Sequence, residues 1–272
     1  MISANEYIQK NNILLDEYEK RVRAWLKESG AKEIADKIPF YRDGVTCPDV
    51  WFKPGNDFRP LFILKEVSIG KDFVNDLSNY LKIWGNQKNF NFVENPFDDV
   101  KIGQFTTWKK IAALAKGLED AHNGLGMREY KIDEFAFQSG GEKYEGNIKG
   151  YNEYGERTAN DLYNDIINKI AVLEVKKIGG GRSVGSELSL ATKNYSKHIE
   201  PFKDLICEQI ELINPTVIIG CCREFFTRNL LKELEKNTSD RLWIYGYHPT
   251  MNSTENFYYK PLKEYINHFT VK

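Results

Sequence analysis

His248 is the residue of this chain best suited to hydrogen-bond or acid–base chemistry. It closes the stretch Leu242-Trp243-Ile244-Tyr245-Gly246-Tyr247-His248-Pro249-Thr250, which puts an imidazole at the mouth of a buried strand. Three other short apolar runs end in reactive groups. Residues 61–64 lead into Lys65-Glu66-Val67-Ser68-Ile69-Gly70. Residues 170–175 carry Glu174 and lead into Lys176-Lys177-Ile178-Gly179-Gly180-Gly181-Arg182-Ser183. Residues 216–219 lead into Gly220-Cys221-Cys222-Arg223.

Each group admits a chemical and a structural reading. His248 can donate to a leaving group or cap its strand by bonding to backbone. Glu66 can orient a water or pair with Lys65, Lys176 or Arg182. Glu174 follows apolar residues, and a carboxylate taken out of water needs a partner or a raised pKa; it can pair with a lysine or accept from a ligand's amino group. The glycines of 179–181, flanked by Lys176, Lys177 and Arg182, let backbone N–H groups approach a phosphate, or they form a flexible turn. No Gly-Lys-Ser/Thr closes that segment, so it is not a Walker A loop.

These groups need a frame, and the pattern supplies one. Residues 199–213 and 223–235 have helical spacing and alternate with the third and fourth apolar runs; residues 108–118 form an amphipathic helix between the first and second. Four apolar strands separated by helices predict an α/β fold, three layers deep, with a central four-stranded parallel sheet. Ligands of such sheets bind beyond the carboxyl ends of the strands, where the groups above are found. A single domain is expected over 1–272. Residues 1–57 would be a helical amino-terminal extension packed on the sheet as a flap, and residues from about 120 to 165 an insertion. The aromatic residues Trp51, Phe73 and Trp84 would line a pocket or simply pack.

Composition sets limits. With 38 basic and 39 acidic residues, no global field draws the chain to a polyanion, so any nucleic-acid contact must come from a local patch. Apolar runs fall far short of the roughly 20 residues that span a bilayer, and the start lacks a secretory pattern. A soluble cytoplasmic protein with no membrane partner is expected. Cys47, Cys207, Cys221 and Cys222 have neither metal-ligand spacing nor a disulfide pattern, and buried thiols are expected.

At its strand exits the chain resembles the uracil-DNA glycosylase superfamily. Tyr247-His248-Pro249-Thr250 is similar to the family's His-Pro-Ser motif after the last strand. Leu64-Lys65-Glu66-Val67-Ser68-Ile69-Gly70 is similar in placement to its water-positioning loop, keeping a carboxylate at Glu66 and the last glycine at Gly70 while lacking the first glycine and the proline. The resemblance covers roughly residues 58–268. It implies a uracil-DNA glycosylase-like fold and a DNA or nucleotide partner whose N-glycosidic bond is hydrolysed, His248 stabilising the leaving base and Glu66 positioning water. Glu174 would read the base, with Ser68, Gly70 and Thr250 beside it. Lys176, Lys177, Gly180, Gly181, Arg182 and Ser183 would hold phosphate, and Met251 would be the apolar wedge of a base-expelling enzyme. A carboxylate at 174 accepts from amino groups and cannot donate to a carbonyl, so uracil itself fits poorly. The iron–sulfur cysteines of some branches have no counterparts, so no cofactor or metal cluster is expected. The alternative is a non-catalytic nucleic-acid or nucleotide binding module on the same fold.

Overall fold

The computed structural model describes residues 2–30, 32–36, 40, 42–68, 105–127, 130, 165–180, 200–221, 234–236, 238, 241–247 and 255–270. Helix α1 (Ala4–Glu28) is a single 25-residue helix. Ser3 caps it by accepting from the Glu6 amide at 3.2 Å, satisfying one of the donors that a helix start leaves open. Tyr7, Asn11, Leu14, Leu15, Tyr18, Val22 and Leu26 recur at three- and four-residue spacing and form its buried stripe.

Among the described residues, five strands form one sheet. They are β1 (Gly44–Val45), β2 (Pro60–Ser68), β3 (Ala171–Gly180), β4 (Val217–Gly220) and β5 (Leu242–Tyr245), in the spatial order β1-β3-β2-β4-β5. β2, β3, β4 and β5 are mutually parallel, as the apolar runs predict, whereas β1 lies antiparallel on the edge of β3. The expected four-stranded sheet therefore gains an antiparallel edge strand. β1 has two residues and no alternation, so the Asp43-Gly44 pair at its start reads in sequence only as a turn.

Successive strand residues enter two separate cores, the period-two consequence of a pleated backbone. Leu61 and Ile63 of β2 join Leu173, Ile218 and Trp243 in a core completed by α1 and by α5 (Lys203–Ile213). Phe62 and Leu64 join Val172, Ile219 and Ile244 in a second core, completed by α4 (Phe105–His122) and α6 (Lys260–Thr270). Two short helices, α2 (Lys32–Ala35) and α3 (Pro48–Trp51), belong to the first side. The sheet is thus an α/β sheet with helices on both faces. Trp51 is fully buried, donating from its indole N–H to the Ile213 carbonyl at 2.8 Å, so it packs rather than lining a pocket. Phe73 and Trp84 lie outside the described residues.

The amino-terminal helix packs on the sheet and is fastened near both of its ends. Arg21 forms a forked ion pair with Asp204 and also donates to the Pro201 carbonyl at 2.7 Å, fastening α1 to the start of α5. The Tyr7 hydroxyl accepts from the Val45 amide at 2.9 Å. Gly44 makes that approach possible, because its φ is +139° and a Cβ there would lie 2.3 Å from the Tyr7 hydroxyl. Of the predicted insertion, residues 120–122 complete α4, and residues 131–164 lie outside the described residues.

α5 ends where the sequence says it must. Asn214 adopts the left-handed conformation (φ 50°) and Pro215 follows, so the helix cannot continue. Arg59 then donates to the Asn214 carbonyl at 2.9 Å and accepts at its backbone, since the Thr216 amide bonds to the Arg59 carbonyl at 3.0 Å. A cation at a helix carboxyl end is favourable, and here it also sets β4 beside β2.

Candidate functional site at the strand exits

In chain order the parallel strands are β2, β3, β4 and β5, but in space β3 lies on one side of β2 and β4 on the other. The chain reverses direction of winding at β2, so the carboxyl ends of β2 and β4 flank a topological switch point. Sheets of this kind open a crevice there, and ligands bind in it.

The strand ends at this edge are level. Leu64 pairs with Glu174 of β3, while the Cys221 amide, one residue past the Ile63↔Gly220 pair, donates to the Ile63 carbonyl at 2.9 Å. The Gly246 amide likewise donates to the Gly220 carbonyl at 3.0 Å, continuing the β4–β5 register one residue beyond Tyr245. Glu174, Leu64, Cys221 and Gly246 therefore form one row across four strands. In the sequence Glu66, Lys176 and His248 each come two positions after this row. Glycine at 246 suits the close approach of α6, because a Cβ there would lie 3.2 Å from Pro261 Cγ.

Within the row, Glu174 is a carboxylate only 5% exposed. By alternation it shares the α4/α6 side of the sheet with Val172 and Leu64. Cys221 is fully buried in that same core. Burial pushes the Cys221 thiol well above the ordinary range, and the negative charge of Glu174 adds to the shift. Cys221 is accordingly a neutral, small apolar group at this edge rather than a nucleophile. Cys47, Cys207 and Cys221 are free thiols, and no group of metal-binding side chains occurs among the described residues.

Lys177 corrects the expectation drawn from the sequence. Its side chain is 0% exposed and its ammonium donates to both oxygens of Asp43, at 2.5 and 2.6 Å, so it is committed inside the protein and does not face a phosphate. The Asp43 carboxylate, 1% exposed, also accepts from the Glu174 amide at 2.6 Å and from Gln209 Nε2 at 3.0 Å. Gln209 and Asn11 both donate to the Asp43 carbonyl, at 3.1 and 3.2 Å. The Lys177 ammonium lies 5.9 Å from the centre of the Tyr18 ring, whose hydroxyl donates to the Val175 carbonyl at 3.2 Å. Burial pushes the Asp43 carboxyl above its ordinary value and the Lys177 ammonium below its own, while their mutual attraction opposes both shifts.

The remaining candidates divide by position. Glu66 and Ser68 occupy the end of β2 and pair in register with Lys176 and Gly180 at the end of β3. Gly70, Gly181, Arg182, Ser183, His248, Thr250 and Met251 lie outside the described residues. Sequence reasoning missed Asp43, Gln209 and Asn11. A signal for two of them was present: Gln209 interrupts the apolar face Leu205, Ile206, Ile210 and Ile213, and Asn11 interrupts the stripe of α1. A polar residue at a core position implies a buried partner.

Comparison with known protein families, with curated proteins and with solved structures finds no match.

Proposed function

We propose that this chain is a divergent uracil-DNA glycosylase-like protein that takes a base of DNA or of a nucleotide into the crevice at its strand exits and hydrolyses the N-glycosidic bond. The observation that carries the reading is the level row Glu174–Leu64–Cys221–Gly246, with Glu66, Lys176 and His248 each two positions further along the chain. The row lies at the edge where sheets of this winding bind ligands, and the sequence that follows it carries a carboxylate, a cation and an imidazole at equal spacing.

The chemistry is set by what the bond demands. Breaking it develops positive charge on the sugar and negative charge on the departing base. Glu66 supplies the anion or oriented water for the sugar, and His248 the donor for the base. Glu174, set in the apolar floor, accepts from an exocyclic amino group, which favours an amino-bearing base over uracil. Phosphate contact falls to Lys176, Gly180, Gly181, Arg182 and Ser183, without Lys177.

A second reading, a nucleic-acid or nucleotide binding module without catalysis, is favoured by the 64–70 segment, which lacks the first glycine and the proline of the family's water-positioning loop. Base release separates the two. Single- and double-stranded oligonucleotides carrying uracil, hypoxanthine, xanthine or an ordinary base are incubated with wild type, His248→Ala and Glu66→Ala. The hydrolase reading expects release that falls about 10²- to 10³-fold in either variant, the usual cost of one preorganised group. Salt-sensitive binding with no release supports the binding module. Neither binding nor release defeats both.

A further inference from the structure

β3 does not run regularly to its end. Between the pairs Glu66↔Lys176 and Ser68↔Gly180, β3 advances four residues while β2 advances two, a bulge in a parallel pair. The face pattern breaks at the same place: Val175 and Ile178 both enter the α1/α5 core, and Lys177 between them reaches Asp43 on that side. Bulges bend a strand and re-aim its next residues, and they occur often beside binding sites.

A strap from the amino-terminal region lies along the outer edge of this bulge. Phe40 bridges Ile178 in antiparallel sense, Asp43 receives the Glu174 amide and the Lys177 ammonium, and Gly44 and Val45 pair with Val172 and Ala171. Gln209 of α5 and Asn11 of α1 hold Asp43 from behind. Three otherwise separate elements thus fix one residue, and its carboxylate fixes the carboxyl end of β3.

We infer that Asp43, Lys177 and Gln209 are positioning residues that pin the β3 bulge, setting both Glu174 and the Gly179–Gly180 end of β3 relative to the end of β2. This rests on the reading of the strand exits as the ligand-binding edge. Lys177 acts through the backbone it anchors rather than by touching a ligand. An ion pair is suited to this task because moving either group off its partner leaves a buried charge unsatisfied, whereas apolar contacts tolerate sliding.

The test uses the full chain with Lys177→Met combined with Asp43→Asn, which removes both charges while the new amide oxygen keeps one acceptor for the Glu174 amide or Gln209 Nε2. Amide hydrogen exchange is followed over residues 64–68 and 174–180 and over the rest of the sheet, with the urea midpoint as a measure of global stability. In parallel, binding of a single-stranded oligonucleotide of mixed sequence is titrated. The inference expects exchange over 174–180 to rise at least about tenfold while β4 and β5 stay within about twofold, with oligonucleotide affinity down at least about tenfold. Unchanged exchange over 174–180, or a uniform rise across the sheet, overturns it. So does intact affinity despite loosened exchange, since the bulge would then position nothing the ligand uses. Loosened exchange in a protein whose wild type binds no oligonucleotide supports the pin and defeats the glycosylase-like reading. Should the double variant fail to fold, Gln209→Met withdraws one donor from Asp43 and carries the same test, with an expected rise of about three- to tenfold confined to 174–180.

Discussion

Lys177→Met alone should be among the most damaging single substitutions outside the apolar cores. The lysine supplies two of the contacts to an Asp43 carboxylate that is 1% exposed, and after substitution only the Glu174 amide and Gln209 Nε2 remain. Breaking one side of a buried ion pair costs about 3–5 kcal/mol, because the other charge is left in a poor medium. Two surviving donors, each worth about 1.5–3 kcal/mol to a charged acceptor, hold the loss near the lower end, at about 3 kcal/mol. For a chain of this size that corresponds to a fall in midpoint temperature of about 6–12 °C.

Two further features make this diagnostic. Asp43→Asn combined with Lys177→Met should recover part of the loss, since no buried charge is left while one of the two remaining donors loses its acceptor, giving a coupling of at least about 2 kcal/mol in a double-mutant cycle by urea denaturation. The single variant should also acquire a pH dependence. Asp43 already has a folded pKa above its ordinary value of 3.8, and losing the lysine raises it further. An acid whose folded pKa is raised binds its proton more readily in the native state, so stability is greatest at low pH and falls as pH rises from 3.8 through the folded value. Lys177→Met should therefore lose less against wild type at about pH 4–5 than at about pH 8. A loss below about 1 kcal/mol, additive singles, or a pH trend of opposite sign would refute the account of this pair.

Other outcomes rest on the same packing. Gly44→Ala should cost at least about 2 kcal/mol in chemical denaturation, since it combines a left-handed φ of +139° with a Cβ 2.3 Å from the Tyr7 hydroxyl, and Tyr7→Phe should not restore it fully. Trp51→Phe should lower stability by about 1–3 kcal/mol by orphaning the buried Ile213 carbonyl, with a midpoint shift readable by circular dichroism. Burial pushes the Glu119 carboxyl up, but Lys169 and Lys116 outweigh that and hold it below 4.5. Its contribution is present above that unfolded value and is lost as pH falls through the folded one, so Glu119→Gln should flatten the acid limb of a stability profile below about pH 4.5.

The parallel strands were legible because each is a short buried run closed by a turn or a helix signal, and Pro215 marked the end of α5 without ambiguity. The edge strand was not legible. Its two residues are held on β3 by partners distant in sequence, among them Tyr7, 38 positions away, which local pattern cannot reveal. Lys177 shows the same limit at the site. Close to three glycines and directly after another lysine, it has the look of a phosphate ligand, and only the partner 134 positions away makes it structural. Glu174 was recognisable as a buried carboxylate from its apolar neighbours. That Asp43 takes hold of its amide was not, because backbone contacts leave no trace in residue type.

The proposed function requires that ligand bind at the carboxyl edge of the parallel strands. Amide chemical-shift mapping of the full chain, titrated with single-stranded oligonucleotides carrying adenine, cytosine or hypoxanthine, tests it most directly. Binding there gives shifts concentrated at residues 64–68, 174–180, 220–221 and 245–247, abolished by Glu174→Leu for the amino-bearing bases. Shifts at the opposite end of the sheet, around Asp57, Phe58 and His122, or no shifts with any of the three, would contradict it.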